Sequence, residues 1–357
     1  MQTFDRIEWE VFRNLDLDGK GRCLTREGRP FHVLLAQQFN RAELEELGAL
    51  ATSIRRIAKD RTGMAFLRER LSDKRAMLYF TQPSTRTFLS FCAACQILGI
   101  QIGEVRDTAT SSEFKGETKE DSVRTFSSYF DLIVMRSQES GLAERMAWVL
   151  SHADRPVPII NAGSGRDQHP TQALLDIYTL QRSFEHQGGI DGKTIVFVGD
   201  LLRGRTVRSL SSVLTNYEGV RQIFAAPEAF QVSDDITAML EARGAEFEKT
   251  ASFEKVIPLA DAIYMTRVQD EWDAVKGESS GVDVSAYCFT AAHLDALKPN
   301  AIIMHPLPRR GEISVEVDGD PRAMYWRQMR NGMWIRTALI AQIFERDGEI
   351  RDYEKSG

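Results

Sequence analysis

The sequence has little cysteine, no long apolar run and no excess of basic residues. Only four of its 357 residues are cysteine, far fewer than a disulfide scaffold needs, which favours a reducing compartment. No apolar stretch approaches the roughly 18 residues that cross a bilayer, and the N-terminus lacks the basic and then apolar pattern of a secretory signal. The net charge of −6 provides no overall positive field for nucleic acid. These absences predict a cytoplasmic protein that binds neither nucleic acid nor a membrane.

Two of the cysteines form a C-x-x-C motif, Cys92 and Cys95. The motif lies within residues 88–99, whose apolar side chains recur with helical spacing, so packing of a helix is the favoured interpretation. Redox or metal chemistry is the alternative. The sequence has no second cluster of Cys and His that could complete a zinc site. We therefore expect no metal site and no cofactor.

Short apolar, β-branched runs alternate with amphipathic stretches along most of the chain, a pattern typical of α/β architecture with parallel sheets. Strands are predicted at residues 76–80, 101–105, 132–136, 157–161, 194–199, 222–226, 262–266 and 301–304. Helices are predicted at residues 41–59, 87–98, 172–182, 207–215 and 233–243. The fold class predicted from this alternation is α/β, with doubly wound parallel sheets.

The length of the chain favours two such domains, because 357 residues exceed what a single core usually supports. A polar, Gly-rich stretch at 184–193 marks the boundary between them. A long apolar helix predicted at 332–346 could pack back onto the first domain. The predicted domains are therefore 31–183 together with 332–357, and 184–331. Residues 1–30 are an N-terminal extension to which the sequence assigns no role.

A cluster of hydroxyl groups and one guanidinium follows the first predicted strand. Ser84, Thr85, Arg86 and Thr87 open the next helix, where backbone N–H groups and the helix dipole attract anions. An N-cap would need only one of these hydroxyls. The cluster therefore predicts a phosphate-binding site.

Two further motifs begin helices. Pro170 suits a first helical turn, which leaves His169 at the helix entrance and Gln172 on the same side. This His could be a cap or core residue, or with Gln172 it could orient a carbonyl or amide group. Residues 199–206 resemble a nucleotide P-loop, but Arg205 stands where a Lys is needed. We favour Arg205 as a bidentate ligand for a carboxylate.

Polar residues also recur where predicted strands end. Ligands of open α/β sheets lie beyond the carboxyl ends of the strands. The residues at this position are Arg136, Arg267, Gln269, Pro306 and Leu307. One such Arg is ordinary, but its recurrence in both halves of the chain indicates a binding cleft.

Taken together, these motifs resemble the aspartate/ornithine carbamoyltransferase family. The matching segments, in family order, are Ser84-Thr-Arg-Thr87, Lys115-Gly-Glu-Thr118, Val134-Met-Arg136, His169-Pro-Thr-Gln172, Gly199-Asp-Leu201, Gly204-Arg-Thr206, Met265-Thr-Arg-Val-Gln269 and His305-Pro-Leu-Pro308. The ornithine enzymes are expected to carry Ser-Met-Gly and His-Cys-Leu-Pro motifs instead. The chain is therefore similar to the aspartate carbamoyltransferases of the family.

The resemblance implies a reaction: the α-amine of L-aspartate attacks carbamoyl phosphate, giving N-carbamoyl-L-aspartate and phosphate, a step of pyrimidine biosynthesis. It implies that the first domain binds carbamoyl phosphate and the second binds aspartate. It also implies a homotrimer whose active sites are shared between subunits. Whether a regulatory chain or a dihydroorotase joins the assembly stays open.

The site residues implied by the resemblance divide between the two substrates. Those assigned to carbamoyl phosphate are Ser84, Thr85, Arg86, Thr87, Arg136, His169, Gln172, Pro306 and Leu307. Those assigned to aspartate are Ser111, Lys115, Arg205, Thr206, Arg267 and Gln269. The catalytic residues among them are Arg86, Thr87, Lys115, Arg136, His169 and Gln172. Lys115 and Ser111 would reach in from a neighbouring subunit.

Three alternative functions stay open at this stage. A related enzyme could carbamoylate another amino acid, although Arg267 and Gln269 should reject a cationic side chain. A non-catalytic homologue could act as a scaffold, although every expected active-site residue is present. A nucleotide-binding protein would need the P-loop interpretation of residues 199–206.

Overall fold

The structure is a computed structural model that describes residues 4–107, 115–165, 168–270 and 281–356. Contacts along the chain divide it into two compact units. The first unit consists of Met1–Leu175 with Gly332–Gly357, and the second consists of Asp176–Asn331. Both crossings between the units fall inside helices, Pro170–Phe184 and Tyr325–Ile343.

The strands, in chain order, are β1 (Thr25–Arg26), β2 (Arg29–Pro30), β3 (Arg75–Phe80), β4 (Gln101–Val105), β5 (Leu132–Ser137), β6 (Ile159–Ser164), β7 (Thr194–Val198), β8 (Arg221–Ala225), β9 (Glu246–Thr250), β10 (Ala262–Met265) and β11 (Ile302–Met304). The α-helices are α1 (Trp9–Arg13), α2 (Leu17–Cys23), α3 (Arg41–Ile57), α4 (Arg61–Glu69), α5 (Thr85–Ile97), α6 (Lys119–Tyr129), α7 (Leu142–Ser151), α8 (Pro170–Phe184), α9 (Arg205–Leu214), α10 (Asp234–Ala242), α11 (Phe253–Val256), α12 (Tyr325–Ile343) and α13 (Asp347–Ser356). No helix in the described ranges is long and apolar enough to cross a bilayer.

The first unit is built on a parallel four-stranded sheet in the order β4-β3-β5-β6. Its central strands are mostly apolar: every residue of β5 is buried, and in β3 only Arg75 is exposed. Such runs are typical of parallel strands that helices cover on both faces. Helix α3 begins with a capping box, in which Asn40 and Glu43 each accept the other's backbone N–H.

The second unit is built on a parallel five-stranded sheet in the order β11-β10-β7-β8-β9. Phe197 and Phe224 stack across neighbouring strands, with ring centroids 5.3 Å apart. Strand β9 was not predicted from the sequence. It has the sequence Glu-Phe-Glu-Lys-Thr and no buried residue, because it lies at the sheet edge with one neighbour and most of its surface in water.

The eight predicted strands are all present, with ends shifted by a few residues, and the predicted fold class of two parallel-sheet α/β domains is confirmed. The C-terminal helix is longer than predicted, because α12 begins at Tyr325. Its second half belongs to the first unit. There Arg336 donates hydrogen bonds to Ser90 Oγ (2.7 Å) and Thr171 Oγ1 (3.4 Å). The C-terminal segment therefore packs on α5 and α8 within the first unit.

Of residues 1–30, to which the sequence assigned no role, the described residues 4–30 pack on the first unit beside α7. The indole Nε1 of Trp148 donates to the carbonyl of Ile7 (2.8 Å), and Lys20 Nζ lies 2.7 Å from Glu144 Oε2. The apolar side chains of the segment join the core that α7 forms with the sheet. In this structure residues 4–30 are therefore an integral part of the first unit.

Candidate active site

The predicted phosphate-binding motif forms the start of α5 at the carboxyl end of β3. Ser84 is the N-cap residue, and its side chain makes no capping bond to the helix. Thr85 is exposed, Arg86 is half-buried and Thr87 is buried. The N–H groups in the first turn of a helix have no acceptors within that helix. Hydroxyl, guanidinium and main-chain donors therefore meet at one helix N-terminus, the arrangement that binds phosphate.

Arg136 and His169, which lie far apart in the sequence, are neighbours in the first unit. Arg136 is in β5, and its Nη1 donates to the carbonyl of Ala162 (3.0 Å) and lies 3.4 Å from His169 Nε2. Both side chains are buried. The backbone N–H of Thr81, in the loop before α5, donates to the Arg136 carbonyl (2.9 Å). The phosphate motif and Arg136 are thus attached to the adjacent strands β3 and β5, and His169 follows the next strand of the sheet, β6.

Gln172 lies beside His169 at the start of α8, as its spacing predicted. The backbone N–H groups of Gln172 (3.0 Å) and Ala173 (3.2 Å) donate to the His169 carbonyl, so His169 immediately precedes the first helical turn. Gln172 is buried as well. Its amide group can both donate and accept hydrogen bonds, which suits recognition of a carbamoyl NH₂ or C=O.

In the second unit, three loops begin at the same edge of the sheet. Strands β7, β10 and β11 are adjacent and parallel, with Val198 opposite Met265 and Tyr264 opposite Met304. The predicted residues that follow these strand ends are Arg205, Thr206, Arg267, Gln269, Pro306 and Leu307. This edge is where open α/β sheets bind their ligands.

Asp200 joins two of these loops and was not predicted as a site residue. It is fully buried after β7, and its carboxylate accepts the backbone N–H groups of Arg203 (3.1 Å) and Gln269 (3.0 Å). Burial raises the pKa of Asp200, and these two bonds and nearby guanidinium groups oppose that effect. Both carboxylate oxygens hold backbone groups, which argues against a magnesium-binding role and hence against the P-loop interpretation.

Arg205 and Arg267 approach the edge from different loops. Arg205 is buried as the first residue of α9, and Thr206 follows it half-buried. Arg267 Nη1 donates to the carbonyl of Val268 (2.8 Å) and lies 3.9 Å from Asp270 Oδ1. The carboxylate of Asp270 instead forms a bidentate pair with Arg310, at 2.9 and 3.0 Å.

The remaining predicted residues are only partly described. Lys115 is exposed just before α6, and Ser111 lies outside the described residues. Within the described ranges, no group of three or more His, Cys, Asp and Glu side chains could hold a metal ion.

The C-x-x-C motif lies in α5, as predicted. Cys95 is fully buried, and burial raises the pKa of its thiol to about 12. Burial also raises the pKa of Cys92. Reactive cysteines have lowered pKa values, so these thiols support the packing interpretation.

Comparisons with known proteins agree with this geometry. The carbamoyl-P binding domain of the aspartate/ornithine carbamoyltransferase family matches residues 32–182, and the Asp/Orn binding domain of that family matches residues 191–343. Aspartate carbamoyltransferase catalytic subunit from Vibrio cholerae is 42% identical over 315 residues, covering 87% of this chain and 96% of the relative. The chloroplastic enzyme of Oryza sativa is 41% identical over 313 residues, covering 86% and 83%.

Solved structures give the same result. Aspartate transcarbamoylase from Trypanosoma cruzi, in complex with carbamoyl phosphate and aspartate, superposes with a TM-score of 0.78 at 36% identity, covering 87% of this chain and 95% of that one. The catalytic subunit of M. jannaschii aspartate transcarbamoylase has a TM-score of 0.76 at 34% identity, covering 88% and 98%. The chain belongs to the aspartate/ornithine carbamoyltransferase family.

Proposed function

We propose that the chain is an aspartate carbamoyltransferase, which transfers the carbamoyl group of carbamoyl phosphate to the α-amine of L-aspartate. The observation that carries the proposal is the placement of cationic and hydroxyl side chains at the carboxyl-end edge of each parallel sheet. In the first unit these groups suit a phosphate, and in the second they suit carboxylates. The relatives named for this activity, and the T. cruzi complex with both substrates, support it.

In the first unit, Ser84, Thr85 and Thr87 would donate hydrogen bonds to the phosphate, and Arg86 would provide a charge-assisted pair. Arg136 and His169, 3.4 Å apart, would face the carbamoyl oxygen. The carbonyl of Ala162 orients the Arg136 guanidinium before substrate arrives, and such preorganised donors are usually the largest electrostatic contribution to catalysis. Gln172 would bind the carbamoyl NH₂ group.

In the second unit, Arg205 would bind the α-carboxylate of aspartate, with Thr206 beside it. Arg267 and Gln269 would bind the side-chain carboxylate. The hydrogen bond from the Gln269 N–H to Asp200 holds their loop at the end of β7. The carbonyl oxygens of Pro306 and Leu307 would accept hydrogen bonds from the carbamoyl NH₂ group.

The reaction then needs no nucleophilic side chain of the protein. The aspartate amine forms a bond to the carbamoyl carbon, and negative charge develops on the carbamoyl oxygen, where Arg136, His169 and Thr87 stabilise it. The bond from carbon to the phosphate oxygen breaks, and a phosphate oxygen takes the proton that the amine loses. Holding amine and carbonyl together supplies the proximity contribution.

Calorimetric titration with a bisubstrate analogue that joins a phosphonate to aspartate tests the proposal. We expect Arg86→Ala to abolish the binding of carbamoyl phosphate. The side chain of Arg267 is only 18% exposed, and Arg267→Ala should mainly weaken the binding of aspartate. Each loss should cost about 2–5 kcal/mol of transition-state binding. The exposed Arg243→Ala is the matched control. Turnover of ornithine in place of aspartate, or an unchanged aspartate KM and kcat in Arg267→Ala, would contradict the assignment.

The proposal includes a homotrimer in which Lys115 and Ser111 of one subunit complete the site of the next. The exposure of Lys115 is compatible with that role. In a closed ring with heterologous interfaces, each site pairs one chain's pocket with its neighbour's loop.

Mixing of subunits tests the shared site. Lys115→Ala and Arg267→Ala should each be nearly inactive alone. After dissociation and random reassembly in equal amounts, about a quarter of the sites should regain activity. Activity that stays at the level of the separate variants would mean that Lys115 acts within its own chain.

A further inference from the structure

The imidazole of His305 and the carboxylate of Glu312 hold the turn that follows β11. The backbone N–H of Leu307 donates to His305 Nδ1 (2.7 Å), and His305 Nε2 lies 2.6 Å from Glu312 Oε1. The same carboxylate accepts the backbone N–H of Arg310, at 3.2 and 3.1 Å to its two oxygens. His305 and Glu312 therefore hold the turn at two separate amides.

These bonds determine which ring nitrogen of His305 carries the proton. The Leu307 N–H is a donor, so Nδ1 must accept and cannot carry a proton. The proton of the neutral ring is then on Nε2, where it is donated to the Glu312 carboxylate. A carboxylate beside one ring nitrogen selects a tautomer in this way. Although burial acts to raise the pKa of Glu312, the hydrogen bonds that its carboxylate accepts from His305 and from the backbone hold that pKa below its usual range.

The backbone that the pair holds has an unfavourable conformation. Leu307 has a φ of 55°, in the left-handed region that a branched side chain rarely adopts. Such a conformation persists only where the surrounding structure imposes it. The bond from Leu307 to His305 Nδ1 is one such restraint, and it lies within the segment whose carbonyl directions matter for the reaction.

The base of the turn is rigid as well. The His305 N–H donates to Gln328 Oε1 (2.9 Å), and Gln328 Nε2 donates to Asp176 Oδ1 (2.7 Å). The hydroxyl of Tyr264 donates to the other oxygen of Asp176 (2.8 Å). His305, Asp176 and Gln328 are all buried, so the backbone of His305 is attached to a buried network of the second unit.

We propose that His305 and Glu312 are positioning residues for carbamoyl transfer: the Glu312 carboxylate selects the His305 tautomer that accepts the Leu307 N–H, and so aims the carbonyl groups of Pro306 and Leu307 at the carbamoyl NH₂. The proposal rests on the proposed function, which places those two carbonyls at the substrate. Neither side chain touches the reacting atoms. Their effect passes through the backbone of the turn.

Two substitutions of His305 separate this role from simple packing. In His305→Asn, the side-chain oxygen can accept the N–H two residues later, as in an Asx turn, but the bond to Glu312 is lost. In His305→Ala both bonds are lost. We expect His305→Ala to lower kcat about 10²-fold, the cost of misplacing a reacting group by about 1 Å, and His305→Asn to recover most of that loss.

Substitutions of the carboxylate test the choice of tautomer. In Glu312→Gln the neutral amide can donate to His305 as well as accept from it. The His305 tautomer with its proton on Nε2 is then no longer imposed, and we expect kcat to fall about tenfold. Glu316→Gln, an exposed carboxylate of the same unit, is the matched control and should leave kcat unchanged. In all variants the inhibition constant of inorganic phosphate should stay within about twofold, because its predicted ligands belong to the first unit.

Nitrogen-15 spectra of the histidine rings give a readout that does not depend on activity. The wild-type protein should show His305 neutral with its proton on Nε2, and Glu312→Gln should shift this population. A proton on Nδ1 in the wild type, or a kcat in His305→Asn as low as in His305→Ala with both proteins folded, would overturn the proposal. A wild-type protein that fails to carbamoylate aspartate would instead refute the proposed function, while the spectra would still decide whether the pair exists as described.

Discussion

Gly163 in β6 supports the Arg136–His169 pair, and its replacement by alanine should disable the pair without removing either side chain. Gly163 has a backbone φ of 115°, which residues other than glycine rarely adopt. A Cβ added there would lie 2.8 Å from Arg136 Nη1 and 3.4 Å from His169 Cδ2. The guanidinium cannot yield without losing its 3.0 Å bond to the Ala162 carbonyl. Gly163→Ala must therefore displace Arg136, His169 or the strand.

Two costs follow from this geometry. The backbone strain should lower the free energy of unfolding by about 1–3 kcal/mol. A displacement of the donors by about 1 Å should lower kcat about 10²-fold. Inhibition by inorganic phosphate should change little, since Gly163 is not part of the helix N-terminus that carries the predicted phosphate ligands. Steady-state kinetics with both substrates, together with a thermal melt, measures the two effects separately.

A second glycine provides the control. Gly28 has a φ of 79°, and a Cβ there would meet nothing within 4 Å. Gly28→Ala should therefore show the backbone cost without the loss of kcat. A folded Gly163→Ala protein with kcat close to the wild type would refute the conclusion that the arrangement of Arg136 and His169 matters for turnover. Equal losses of kcat in both variants would refute it as well.

Three other predictions concern groups outside the reacting centre. Cys95, with its thiol pKa raised by burial to about 12, should resist iodoacetamide at pH 8 in the folded protein and react after unfolding; rapid labelling of the native protein would revive the redox interpretation. Burial lowers the pKa of His32 from 6.5 to about 3. Between these pH values the unfolded chain binds more protons than the folded protein, so the free energy of unfolding should fall as the pH decreases. We expect a loss of about 2 kcal/mol from pH 7 to pH 5. Urea titrations should show a weaker dependence in His32→Gln and an unchanged one in the exposed His152→Gln. Asp200→Asn retains one acceptor oxygen for two backbone N–H groups, and an unsatisfied N–H costs about 1–3 kcal/mol. The KM for aspartate should therefore rise about tenfold, while inhibition by phosphate stays constant. An unchanged KM would contradict the positioning role of Asp200.

The predicted strands were found because burial on both faces imposes a compositional signature. The residues of β5 and β6 are all buried, and such strands need uninterrupted small or apolar side chains. Edge strand β9 has no such requirement, and its polar sequence could not be distinguished from a loop. The same reasoning explains the two-residue strands β1 and β2, which are too short to carry a periodic pattern.

The predictable part of the site consists of residues whose chemistry stands out locally. Hydroxyls and a guanidinium at a helix start, or an Arg after a strand, indicate anion binding by their type and position. Asp200 and Glu312 give no such signal, because a single carboxylate is usually a surface residue. Their role depends on which backbone N–H groups lie opposite them, and Gln269 is far from Asp200 in the sequence. Only the folded chain determines those pairs.

Two arginines of the candidate site are oriented in part by main-chain carbonyls. Arg322 forms ion pairs with Asp320, and Arg310 with Asp270; in each pair a carboxylate neutralises the guanidinium. Arg136 Nη1 donates to the main-chain carbonyl of Ala162, and Arg267 Nη1 donates to that of Val268 and also lies 3.9 Å from Asp270 Oδ1.

A carbonyl dipole orients a guanidinium without cancelling its charge. Orientation before substrate arrives lowers the reorganisation that the reaction requires. A guanidinium oriented in this way interacts more strongly with an anionic substrate once water is excluded. Arginines oriented by carbonyls at the carboxyl ends of parallel strands are therefore suited to bind phosphate and carboxylate groups.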